Sequence, residues 1–270
     1  MNSIPLFDTL THPTIDGNWI LPRWSSCALF SDLQSQMKDN NFCGAFTVGM
    51  NGIGGYMEDE YLSYINAQND DKFFPVAFFT LNHNSNKEYE RRLKEIKTKG
   101  YVGIKLHPRI GQFALDNPAM PFIIDKANEL GLVVMLCTYF YSNEVSMMIN
   151  NVERLGDVLL KVDKQSRIIL LHGGAVRLLD MMELVRAFPN TLLDLSLTLC
   201  KYAGSSLDLD IQFLFQSFDR RVCIGSDYPE IQLSQVRERF NHFAANTTKE
   251  KAENIAYKNI LSFTGIRLDI

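Results

Sequence analysis

Short apolar runs alternate with longer amphipathic segments along the whole chain, and this alternation constrains the fold more than any other feature. Strand-like runs fall at Ile4–Leu10, Phe42–Met50, Phe73–Leu81, Val102–His107, Leu132–Thr138, Arg167–His172, Thr191–Leu197 and Val222–Ser226. Helical patterns lie between them. Asn86–Lys99 is charged on one face, and Pro118–Leu130 opens on proline and stops before Gly131. Ser146–Val162, Ala175–Phe188, Leu207–Phe218 and Ser234–Phe263 follow the same logic. Regular βα alternation implies parallel strands joined by helical crossovers. Eight such units in 270 residues fit a single-domain (β/α)8 TIM barrel over residues 1–270, since such barrels run to about 250 residues. An open doubly wound sheet is the competing arrangement. It usually carries a Gly-rich phosphate loop after its first strand, and none follows Ile4–Leu10.

Composition narrows the function classes. A net charge of −4 gives no electrostatic reason to expect nucleic acid or an anionic membrane as partner. No apolar run approaches the roughly 20 residues that span a bilayer. The opening Met1-Asn2-Ser3-Ile4-Pro5 lacks a basic region followed by an apolar stretch, so no signal peptide is expected. The five cysteines (Cys27, Cys43, Cys137, Cys200 and Cys223) form no CxxC pair, which argues against a disulfide framework or zinc ribbon. A cytoplasmic protein, with a homodimer as the default assembly, is the simplest expectation.

Barrel enzymes place their chemistry at the C-terminal ends of the strands, on side chains facing the mouth. Period-two alternation selects them. Asp8, Leu10 and His12 share a face in the first strand, and Lys105 and His107 do so in the fourth. The fifth offers Met135 and Cys137, the sixth Leu170 and His172, the seventh Asp194, Ser196 and Thr198, and the eighth Cys223, Gly225 and Asp227. Singly, a His before Pro or Gly is more often a hydrogen-bonded structural residue, and an Asp after a strand a helix cap. Convergence of His12, Lys105, His107, Cys137, His172 and Asp227 at one set of strand ends favours an active site.

Several of these segments resemble motifs of the amidohydrolase superfamily, and specifically its "amidohydrolase 2" branch of decarboxylases, hydratases and lactonases. Phe7-Asp8-Thr9-Leu10-Thr11-His12-Pro13 is similar to the first-strand Asp-x-His-x-His motif. Gly103-Ile104-Lys105-Leu106-His107-Pro108 resembles the fourth-strand segment, Ile169-Leu170-Leu171-His172-Gly173-Gly174 the sixth-strand histidine motif, and Ile224-Gly225-Ser226-Asp227-Tyr228-Pro229 the eighth-strand aspartate motif. Glu253-Asn254-Ile255 and Tyr257–Leu261 are similar to the closing helix. Two positions depart from the pattern: Leu10 stands where the first motif histidine belongs, and Cys137 where the fifth strand ends on histidine.

The resemblance implies a hydrolase of a small carboxylated, lactone or amide substrate, with a divalent metal, zinc first, at His12, Cys137 and Asp227 and with His172 close by. Asp227 would take a proton from water, His172 would hold the water or the developing oxyanion, and Lys105 and His107 would orient the substrate. Arg23 and Arg109, in loops after the first and fourth strands, are candidates for a substrate carboxylate, with solvated loop charges as the plainer reading. A metal-free lactonase-type hydrolase suits Leu10 well and leaves Cys137 as a pocket-lining residue. A barrel that only binds a ligand is the third alternative, and the inward polar Asp194 and Ser196 weigh against it. Trp19 and Trp24 would close over the mouth, Tyr139, Phe140 and Tyr141 would wall the pocket, and His83 would lie at its rim.

Overall fold

Each apolar run forms a strand that lies parallel to the next. The computed structural model describes residues 4–21, 23, 26–50, 52–54, 56–82, 85–140 and 151–270. Trp24, His83, Tyr141, Gly55 and the Ser146-Met147-Met148 run therefore lie outside the described residues. The strands are β1 (Leu6–Thr11), β2 (Phe42–Val48), β3 (Phe73–Phe79), β4 (Gly103–Leu106), β5 (Val133–Cys137), β6 (Ile168–Leu171), β7 (Thr191–Asp194) and β8 (Val222–Cys223). They form one sheet in the order β1 to β8. The last strand returns to the first: Thr9 N–H donates to Ile224 O (3.2 Å), Asp227 N–H to Leu10 O (2.9 Å) and His12 N–H to Tyr228 O (2.8 Å). This topology, with helices between successive strands, is the (β/α)8 TIM barrel.

The chain packs into two compact units, Met1–Val76 with Asp194–Ile270, and Ala77–Leu193. In the first, β1 and β2 bury aromatic side chains with helix α1 (Phe30–Asp39), and α2 (Glu58–Ala67) follows. Phe7 meets Phe46 edge-on at 5.1 Å, and Phe30 meets Phe73 at 4.3 Å. The β1–β2 register is interrupted twice: Leu6 lies opposite Phe42, Phe7 opposite Gly44, Asp8 opposite Ala45 and Thr11 opposite Thr47. One extra residue in β1 between Asp8 and Thr11 breaks strict inward–outward alternation there.

The expected continuous helix over Ser234–Phe263 is divided in the structure. Its first part, Leu233–Ala244, is opened by a capping box between Gln232 and Gln235. Thr248 then starts Lys249–Glu253 by accepting from Lys251 N–H, and a π-turn at Asn254–Lys258 leads into Asn259–Thr264. The cause is local, because a threonine side chain satisfies a backbone donor that a continuing helix would not leave unpaired.

In the second unit the expected helix at Asn86–Lys99 forms as α3, capped by Ser85 and ended by Gly100 at φ 104°. Helix α4 (Met120–Glu129) stops just before Gly131, and α5 (Asn151–Leu159) follows. Helix α6 (Leu178–Ala187) begins three residues later than the expected Ala175. His172, Gly173, Gly174 and Ala175 all take positive φ (68°, 54°, 68° and 56°), a path no right-handed helix can follow.

Candidate active site

The predicted residues fall into two groups, one in each unit. In the first, His12 leaves the end of β1 and its Nδ1 lies 2.7 Å from the carbonyl of Val48. A carbonyl only accepts, so the ring proton sits on Nδ1. Nε2 is thereby turned toward Asp227, 3.3 Å from Oδ1. Between an imidazole nitrogen and a carboxylate oxygen, one proton can be shared, and the pair is built to exchange it. Asp227 itself is held at φ 59° just past β8. Trp19 stacks on His12 with ring centroids 5.0 Å apart, and its Nε1 donates to Glu230 at 3.3 Å. The expected closure of Trp19 over this end of the strands is thus a direct contact with the histidine.

Behind the pair lies a polar network that period-two reading only half finds. Asp8 accepts from Ser226 N–H (2.8 Å) and Ser226 Oγ (2.6 Å), and from Leu10 N–H (3.2 Å). Burial pushes the Asp8 carboxyl up to about 7, against those hydrogen bonds and with Asp194 adding to the rise. Asp194 accepts from the Thr9 and Ser196 hydroxyls and from Ser196 N–H at 3.0 Å. Strict alternation turns Thr9 and Ser226 away from Asp8 and Asp227. The irregular β1 register and the short β8 bring them in.

The second group is centred on Cys137. In register, Lys105 lies beside Met135 and Cys137 beside Leu171, which sets the following residues, His107 and His172, at the level of the cysteine. Cys137 shares hydrogen bonds with both histidines. Arg109 points its Nη2 at the sulfur from 4.0 Å and lies 5.0 Å over the ring of Tyr139, which meets His172 edge-on at 6.1 Å. Ile110 N–H donates to His107 Nδ1 (3.3 Å), so the His107 proton is on Nε2 and available to the sulfur. Burial lowers His107, and Lys105 and Arg109 add to that, while Cys137 opposes it. Burial alone would push the Cys137 thiol up, but the two histidines together outweigh it and hold the thiol well below its ordinary range. Cys223, equally buried but beside Asp194, is pushed well above it. Thr138, next in the chain, accepts from Gly174 N–H at 3.0 Å and so pins the turn that carries His172. Lys105 is buried, at 1% exposure. Arg23 is exposed on its loop.

For the expected metal at His12, Cys137 and Asp227, Leu10 offers no donor where the first motif histidine belongs, while His12 pairs with Asp227 in one unit and Cys137 meets two histidines in the other. Among the described residues, no group of three or more His, Cys, Asp or Glu side chains is arranged to hold a metal ion. Among them, too, no helix is long and apolar enough to cross a membrane.

Fold and strand-end chemistry together define a TIM-barrel enzyme. The chain belongs to the amidohydrolase family whose description reads "Amidohydrolase" and whose model matches residues 47–263. It is accordingly an amidohydrolase-type enzyme of the hydrolase or decarboxylase kind. Among solved structures it is similar to an uncharacterized TIM-barrel protein from Bordetella bronchiseptica, with 17% identity, a TM-score of 0.80, and coverage of 97% of this chain and 100% of that one. It is also similar to a probable 2-pyrone-4,6-dicarboxylic acid hydrolase from Acinetobacter baumannii with citric acid bound (17% identity, TM-score 0.70, 98% and 100% covered). A third likeness is to the 5-carboxyvanillate decarboxylase of Sphingomonas paucimobilis (12% identity, TM-score 0.64, 98% and 100% covered). No curated protein matches the chain.

Proposed function

We propose that the protein hydrolyses an acyl bond, a lactone or a related ester, in a small carboxylated molecule, with Asp227 as the general base. The observation that carries this reading is the His12–Asp227 pair, with His12 Nδ1 tied to Val48 so that only Nε2 faces the carboxylate. Asp227 accepts a proton from the attacking water, and His12 shares that proton along the Nε2–Oδ1 line. The same pair then gives that proton to the oxygen that leaves. Arg109 and Lys105, in the second unit, are the cationic candidates for a substrate carboxylate. Among the described residues no complete donor set is arranged for the expected divalent metal, zinc first, so this reading rests on the protein's own proton carriers.

The carboxylated substrate class draws support from relatives named for a pyrone dicarboxylic acid and a carboxyvanillate. Decarboxylation is the second reading, and the same family contains it. Turnover of a panel of carboxylated lactones, 2-pyrone-4,6-dicarboxylate included, separates the two. Ring opening without release of carbon dioxide is expected. Asp227→Asn should lower kcat by about 100-fold or more. Full activity in that variant removes Asp227 as base, and carbon dioxide release replaces hydrolysis with decarboxylation.

A further inference from the structure

Asp8 sits on β1 with its carboxyl buried against the segment after β8, and it takes no part in the chemistry proposed above. Its three donors divide between the two segments that carry the His12–Asp227 pair. Leu10 N–H, two residues before His12, donates to Oδ1 at 3.2 Å. Ser226, the residue before Asp227, donates its N–H to Oδ1 (2.8 Å) and its hydroxyl to Oδ2 (2.6 Å). Ser226 Oγ in turn accepts from Tyr228 N–H at 2.9 Å, and Asp227 N–H donates to Leu10 O at 2.9 Å. The successive N–H groups of Ser226, Asp227 and Tyr228 are thus tied to β1, directly or through one hydroxyl. Asp227 needs such a hold, because it takes φ 59° without being glycine. Backbone in this region persists where its surroundings over-determine it, and it clusters at functional sites. Gly225 lets the segments close up: a Cβ there would lie 2.6 Å from Thr9 Oγ1 and 3.0 Å from Asp8 Oδ1. A fully buried carboxyl is costly unless its oxygens are hydrogen-bonded. Here each of these bonds leads to backbone that sets His12 against Asp227.

We propose that Asp8, acting through Ser226, is the positioning residue of this site: it fixes the turn at Asp227 so that Oδ1 stays in line with His12 Nε2. The proposal rests on the hydrolase reading, with Asp227 as general base, and adds what holds that base in place. Both side chains are fully buried, so they act on the pair and not on the substrate. His12 is fixed by the Val48 carbonyl at Nδ1 and by the stacked Trp19, while the turn of Asp227 is held through Ser226 and Asp8. The distance at stake is the 3.3 Å between Nε2 and Oδ1. That is already long for a nitrogen–oxygen hydrogen bond, so a small shift of the turn ends proton sharing. A misplacement of about 1 Å at a reacting group can cost about 100-fold in rate.

The test measures kcat and KM of the full chain on 2-pyrone-4,6-dicarboxylate, beside a nitrogen NMR spectrum of protein with isotope-labelled histidine. Ser226→Ala should lower kcat by about 10-fold and leave KM in place. Asp8→Ala should do the same, and Asp8→Asn, which keeps an oxygen for the two N–H groups, should restore most of the rate. Arg237→Met removes donors from the carbonyls of Ile4, Asn40 and Asn41 instead, and should lose stability with kcat unchanged. In the spectrum the His12 Nε2 signal, assigned by its loss in His12→Asn, should move in Ser226→Ala toward its place in Asp227→Asn. If Asp8→Ala does not fold, Ser226→Ala carries the test. A folded Ser226→Ala with the parent's His12 signal overturns the proposal. So does a fall in kcat that Arg237→Met reproduces at an equal loss of melting temperature. A moved His12 signal with the parent's kcat supports the positioning and counts against Asp227 as base. If the parent does not turn over the probe, that result counts against the hydrolase reading, and the His12 signal alone decides the positioning.

Discussion

Asp8 is fully buried, and the groups that hydrogen-bond to it are Ser226 and Leu10, all uncharged. Its carboxyl, raised by burial to about 7, links stability to pH with a definite sign. The folded state binds a proton that the unfolded state has already released above the ordinary carboxylate range. The stabilising contribution is therefore complete at low pH and is lost as pH rises through about 7. Asp8→Asn keeps an acceptor and an uncharged donor in the same place. Relative to this variant, the parent should lose about 2–3 kcal/mol of unfolding free energy between about pH 5 and pH 8. Denaturant melts at the two pH values check it, and a constant difference would mean that Asp8 does not titrate in that range. Gly225 answers to the same network. A Cβ there would lie 2.6 Å from Thr9 Oγ1 and 3.0 Å from Asp8 Oδ1. Gly225→Ala should cost about 1–3 kcal/mol in the same melts, because the crowding atoms are buried and hydrogen-bonded. An unchanged melt would show that the network yields at no cost.

Among the elements, Leu233–Ala244 carries a side chain that sequence reading passes over. Arg237 donates to the carbonyls of Asn40 (2.9 Å), Ile4 (3.0 Å) and Asn41 (2.9 Å), gathering the chain before β1 and the turn before β2. Burial pulls its guanidinium down to about 10. Arg237→Met keeps much of the apolar stem but strands three acceptors, so a loss of about 3 kcal/mol in unfolding free energy is expected. A variant within experimental error of the parent would reduce the clamp to surface packing. Elements were legible where local chemistry is strong. α3 covers the expected Asn86–Lys99, with Ser85 and Gly100 at its two ends, whereas the division after Ala244 hangs on the single cap Thr248. The late start of α6 was hidden, because four consecutive positive φ values need glycine at only two of the four positions.

For the molecule as a whole, eight repeats of one βα unit made the TIM barrel readable, since each repeat votes for the same topology. Site residues were readable in proportion to how regular their strands are. His107, Cys137 and His172 come together because β4, β5 and β6 run without a register shift. The Thr9 and Ser226 contacts were not legible, because an irregular register in β1 overrides the period of two. Trp19 gave only a loose signal, as an aromatic in a long loop, and its stacking on His12 needs the folded path of that loop. Replacing one motif histidine by Leu10 and another by Cys137 changes what a familiar set of strand ends does. On this account one pair, His12 and Asp227, handles the proton of water, and a cysteine held by two histidines takes a place where the family uses histidine. The proposed chemistry needs no proton carriers beyond the protein's own. It is tested most directly by measuring metal content and turnover together in enzyme dialysed against chelator. Full turnover with substoichiometric metal is predicted. Turnover that vanishes on dialysis and returns in step with one added zinc per chain would contradict it.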